Sequence, residues 1–149
     1  MNKTIIWLVT IIIVAVGGYF ILRGDEALAP LAETPAELPT ETGETTTHTI
    51  VYTANGYSPG QLTIKVGDTV LFKNESQMEM WTASAMHPTH KVYPGSGIEK
   101  CGTAEAAKIF DACAAIASGG EWSFTFTEAG TWAYHNHLQS NHFGKVIVE

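Results

Sequence analysis

At 149 residues the chain has room for one domain and an appendage. Its net charge of −7, with only 8 lysines and arginines, leaves no basic patch and argues against a nucleic-acid partner. Two cysteines are too few for a disulfide scaffold but enough for one bridge.

The first segment, residues 1–23, holds an uncharged apolar run from Ile5 to Leu22 between Lys3 and Arg23. That run is near the length a helix needs to span a bilayer. A removable signal peptide has a shorter apolar core and a small-residue cleavage site. The one nearby A-x-A, Ala27-Leu28-Ala29, is followed by Pro30, and no cysteine is available for a lipid anchor. The segment therefore reads as an uncleaved signal anchor, with a cleaved signal as the alternative. Lys3 and Arg23 balance, so flanking charge does not orient it. Secretory entry and the acidic segment that follows predict a single-pass cell-membrane protein with its domain on the extracytoplasmic side.

Residues 24–47 are rich in Pro, Glu and Thr, with six acidic residues and no basic one. Such a stretch cannot bury enough apolar surface to offset its ordering entropy. It reads as a disordered, self-repelling tether. The remaining residues, 48–149, make one domain without internal repeats.

Within that domain His48–Thr53 alternates as a strand, and ANGYSPG is turn-forming. Two β-rich runs, Leu62–Val66 and Thr69–Lys73, flank Gly67-Asp68. Trp122–Thr127 and Thr131–His135 form another pair across Glu128-Ala129-Gly130, and Lys145–Val148 closes the chain. Short strands at this spacing predict an all-β sandwich. The pattern breaks between Met78 and Gly120. The Ala-rich part, with Ile109, Cys113, Ile116 and Ala117 at helical spacing, predicts one or two short helical turns laid over the sandwich. Cys101 and Cys113 suit a disulfide in an oxidising compartment. One continuous helix starting after Gly102 would hold them roughly 15 Å apart, so a bridge requires a delayed start or a break near Asp111. Two inert small residues in a helix are the alternative.

The runs NGYSPGQLTIKVGDTVLFKNES, SFTFTEAGTWAYH and GKVIVE resemble the cupredoxin family, and in particular the small membrane-anchored cupredoxin-like domains of bacteria. The resemblance covers residues 48–149 apart from an insert at about 94–120. It implies a Greek-key β-sandwich of the plastocyanin and azurin type, holding copper at one end. Carried over position by position, the family's first histidine falls at Met80, its cysteine at Asn136, its second histidine at Gln139 and its axial methionine at His142. All four blue-copper positions are thus altered. A type 1 centre depends on a copper–thiolate bond, which an Asn amide cannot supply.

Histidines are nevertheless plentiful. His135 and His137 form H-N-H at a strand end, where a period of two points both to one face and Asn136 to the other. His87 and His90 flank Pro88 in MHPTH. The family's fold would bring both pairs to one end, giving a thiolate-free site of His87, His90, His135 and His137, with His142 or Met80 as a fifth or alternative ligand. Imidazoles suit Cu(II), and also Zn(II) or Ni(II), while the thioethers of Met78, Met80 and Met86 favour Cu(I). Trp81, Trp132 and Tyr93 read as core or shielding residues.

The resulting expectation is a membrane-tethered copper-binding protein that handles copper or passes electrons to a redox or copper-transfer partner. Two alternatives stand beside it. One is an enzyme with an open type 2 copper or zinc site, for which no catalytic signature is present. The other is a metal-free interaction module on the same fold.

Overall fold

Alternating β-branched or aromatic residues with polar ones set the strands of this domain, as β1 and β4 illustrate. In β1 (Thr47–Thr53) Ile50 and Tyr52 are buried while Thr47 and Thr49 are exposed. In β4 (Thr69–Asn74) Val70, Phe72 and Asn74 point inward. The computed structural model describes residues 44–149. The expected membrane anchor 1–23 and nearly all of the tether 24–47 lie outside the described residues. Among those described, no helix is long and apolar enough to cross a membrane.

The other strands are β2 (Gly56–Ser58), β3 (Gln61–Ile64), β5 (Thr82–Ser84), β6 (Glu121–Thr125), β7 (Gly130–Asn136) and β8 (Gln139–Val148). They form two four-stranded sheets, ordered β2-β1-β4-β6 and β3-β8-β7-β5. The β1–β4 and β3–β8 pairs are parallel and the remaining pairs antiparallel. The domain is an all-β sandwich, as the strand spacing predicts.

Two runs that sit next to each other in sequence are not hairpins. The Gly67-Asp68 turn carries the chain from β3 in one sheet to β4 in the other, and the residues after Thr125 carry it from β6 to β7 across the sandwich. At the first corner Gly67 has φ +93, a left-handed backbone that glycine adopts freely. The Asp68 carboxylate then accepts the amides of Thr46 and Lys65 at 2.9 and 3.0 Å, and His48 Nε2 lies 2.9 Å away. These bonds, the two backbone amides first, hold the Asp68 pKa down at about 2.

The insert departs from expectation in part. It does contain two short 3₁₀ turns, Ile98–Lys100 and Ala106–Lys108, but no α-helix. Residues 109–116 are not helical, and they run along the edge of β5. Asp111 bridges Ala83 and Ile116 bridges Met80, with Ser84 N–H donating to Phe110 O at 2.8 Å and Ala112 N–H to Thr82 O at 2.9 Å. An otherwise open sheet edge is thereby covered. With no continuous helix to hold them apart, Cys101 and Cys113 approach to 5.3 Å between Cα atoms and form the disulfide.

The core between the sheets is aromatic. Tyr52, Phe72, Phe126 and Tyr134 come from or adjoin the strands, and Tyr93, Ile109 and Phe110 come from the segment after β5. Phe110 stacks against Trp122 and Phe124 with interplanar angles of 10° and 25°. The insert is therefore part of the core rather than a cover over it.

Candidate metal centre

β7 ends on Tyr134-His135-Asn136, and His137 follows directly. His135 pairs with Ala83 of β5 on one side and Phe143 of β8 on the other. His137 is held by its amide, which donates to Trp81 O at 2.7 Å. Opposite them, the loop after β5 turns back on itself. His90 N–H donates to Met86 O, Val92 N–H to Ala85 O and Tyr93 N–H to Ser84 Oγ. His90 sits in this turn with φ +57, a conformation that residues with a Cβ seldom adopt.

These two segments bring four imidazoles together. One ring nitrogen from each of His87, His90, His135 and His137 lies within 4.8 Å of every other. Going round the cluster, the rings of the β5 loop, His87 and His90, alternate with those from the end of β7 and the turn after it, His135 and His137. Neighbouring centroids are 4.9 to 5.4 Å apart, and the two diagonals, His87 to His90 and His135 to His137, are 6.4 and 6.5 Å. The diagonals exceed the sides by less than a flat square would require, so the set is puckered.

Burial is graded across the cluster. His90 is fully buried and His135 nearly so, His137 is half-buried and His87 is exposed. His90 Nε2 lies 2.9 Å from His137 Nδ1, a separation that suits two nitrogens each about 2 Å from one ion. Both ring nitrogens of His135 are buried with no hydrogen-bond partner. Buried polar groups are normally satisfied, and an orphan calls for an explanation such as an ion. Burial, and then the positive charges that His90, His87 and His137 would carry, push the His135 pKa down to about 4, against an opposing pull from Asp111. The same causes, burial first, lower His137. Neutral imidazoles are what metal ligation needs, so the donor set fits a metal ion.

Asp111 lies behind His90. Its Oδ2 is 2.5 Å from His90 Nδ1, and its Oδ1 accepts Trp81 Nε1–H at 2.7 Å and Cys113 N–H at 2.8 Å. Burial alone would raise its pKa, but these bonds outweigh it and hold the carboxyl below the usual range. Trp81 packs on His137 with ring centroids 4.5 Å apart. The role of Asp111 was not readable in the sequence. Asp111 stands in an Ala-rich run with helical spacing, and nothing local marks it as a partner of a histidine 21 residues away. The two cysteines near Asp111 offer no second metal site, because their sulfurs are joined.

Of the two auxiliary ligands expected from sequence, His142 is not one of the four converging residues. Met80 is fully buried in the hydrophobic core, where its backbone bridges Ile116. His142 lies over Gly56, and its Nδ1 is 2.9 Å from Tyr52 Oη. Asn136, in the position expected for the family's cysteine, is wholly buried and fully bonded. Its Oδ1 accepts the amides of Trp81 and Leu138, and its Nδ2 donates to Tyr52 Oη and Glu79 O. Trp132 and Tyr93 pack with the core, as expected.

The chain matches no known family profile. Among solved structures it is similar to one described as a novel purple cupredoxin from Nitrosopumilus maritimus, at 20% identity and a TM-score of 0.52 over 68% of this chain and 98% of that one. It is also similar to an oxidized amicyanin variant, at 25% identity and a TM-score of 0.50 over 68% of this chain and 80% of the other. A reduced amicyanin variant gives 25% and 0.51 over 69% and 82%. By its structural neighbours, the described part of the chain is a cupredoxin-like domain.

Proposed function

We propose that this domain binds one copper ion through His87, His90, His135 and His137, without a thiolate, and serves copper handling or electron transfer. The observation that carries the reading is the convergence of one ring nitrogen from each of four imidazoles, among them a buried His135 whose ring nitrogens have no hydrogen-bond partner. Cupredoxin-like neighbours favour copper over other ions that imidazoles accept. The domain's own residues supply the neutral nitrogen donors, and burial of His90 and His135 keeps water from one side. A bound copper would supply a one-electron couple. His87, exposed at the rim, leaves the ion reachable for exchange with a copper-transfer or redox partner.

We further propose that the apolar run Ile5–Leu22 tethers the domain to the cell membrane, on the extracytoplasmic side. The disulfide is consistent with an oxidising compartment. Equilibrium dialysis of the full chain against Cu(II) tests the binding reading. One equivalent should be retained by the wild type and lost in His135→Ala. Retention by both would refute the ligand set, and retention by neither would refute copper.

A further inference from the structure

Asp111 is one of two acidic side chains buried in the described domain; the other, Asp68, closes a sheet corner. We propose that Asp111 is a positioning residue of the metal centre: its carboxylate keeps the His90 proton on Nδ1, so that Nε2 is free to face the other imidazoles. This inference rests on the reading of the histidine cluster as a metal site.

An ionised carboxylate only accepts, so a neutral His90 bonded to it through Nδ1 must carry its proton there. His90 Nε2 is then a bare acceptor, and it is this atom that lies 2.9 Å from His137 Nδ1. Carboxylates placed behind metal-binding histidines fix tautomer and ring orientation in this way. Three independent contacts hold the Asp111 carboxylate in place. Trp81 Nε1–H and Cys113 N–H occupy Oδ1, and His90 occupies Oδ2. Two of the residues concerned have left-handed backbones, His90 with φ +57 and Cys113 with φ +56. Residues with a Cβ avoid this region, and such outliers gather where a site must be held in one geometry. The Cys113 conformation presents its amide to Oδ1, and the disulfide to Cys101 closes the loop that delivers it. Asp111 is also registered on β5 through its bridge to Ala83, the residue paired with His135.

The same geometry makes Asp111→Asn informative. The two N–H donors on Oδ1 would keep the amide oxygen, so the amide nitrogen would face His90 Nδ1. That forces Nδ1 to accept and moves the His90 proton to Nε2, the nitrogen needed for metal. The test combines long-range ¹H–¹⁵N spectra of the metal-free full chain with Cu(II) competition titrations and EPR. Wild type should show His90 protonated on Nδ1, and D111N should show it on Nε2. Copper binding by D111N should be about 10- to 100-fold weaker, with one fewer coupled nitrogen in the EPR spectrum. The wild-type tautomer needs no variant, so it decides the matter even where D111N does not fold. Copper-binding wild type with His90 protonated on Nε2, or D111N with unchanged affinity and spectrum, would overturn the role of Asp111. Wild type that binds no metal would instead overturn the metal reading, and the positioning role with it.

Discussion

His135 brings two ring nitrogens into a place where the protein offers them nothing. Left so, they cost folding free energy, because an unsatisfied buried polar atom loses its bonds to water without replacement. His135→Leu should therefore abolish stoichiometric copper binding while raising the stability of the metal-free protein by about 1 kcal/mol in urea unfolding. Wild-type copper affinity in this variant would contradict the account. Proton linkage follows from the same burial. The folded-state pKa of His135, about 4, lies below the unfolded value near 6.5. The unfolded chain binds the proton first as pH falls, so metal-free stability should be constant above about pH 6.5 and decline from there towards pH 4. Denaturant midpoints of the metal-free protein across this range check the sign. Asn136 makes a third case. Its side chain alternates away from His135 and His137 and is held by four hydrogen bonds. Asn136→Cys should lose about 2 kcal/mol or more by orphaning those partners, and copper loading should give no intense band near ~600 nm. A blue protein would show that the thiol reaches the metal after all.

At the scale of elements, the strands with several alternating residues were legible, because inward and outward positions follow a period of two. β2 and β5, at three residues each, are too short to show a period. The partnership of strands was hidden for another reason. Gly67-Asp68 and Glu128-Ala129-Gly130 look like hairpin turns, yet each leads across the sandwich, since pairing is decided by long-range burial. The insert shows tertiary contacts overriding local preference. Its alanines and the spacing of Ile109, Cys113 and Ile116 favour helix, but Phe110 fills the core and Asp111 and Ile116 bridge β5 and the residue Met80 before it. Phe110→Ala should cost about 3–5 kcal/mol of stability and weaken copper binding through the neighbouring Asp111. Thermal unfolding with parallel copper titration would show it, and a loss below about 1 kcal/mol would mean the insert merely covers the domain.

For the molecule as a whole, the histidine pairs were readable as H-N-H and MHPTH, and a cupredoxin frame was enough to expect them at one end. The carboxylate behind His90 was not readable, because it comes from a disulfide-closed loop whose course depends on the rest of the fold. The same frame also suggested Met80 and His142 as ligands, and each has another place in the fold. Met80 fills the core, and His142 is engaged by Tyr52. What remains is a cluster of four imidazoles, graded from buried His90 to exposed His87. The most direct test loads the full chain with one equivalent of Cu(II) and records EPR and visible absorption together. A stoichiometric type 2 spectrum with nitrogen ligands and no intense band near ~600 nm is expected. A strong blue band, or a spectrum of aqueous copper only, would contradict it.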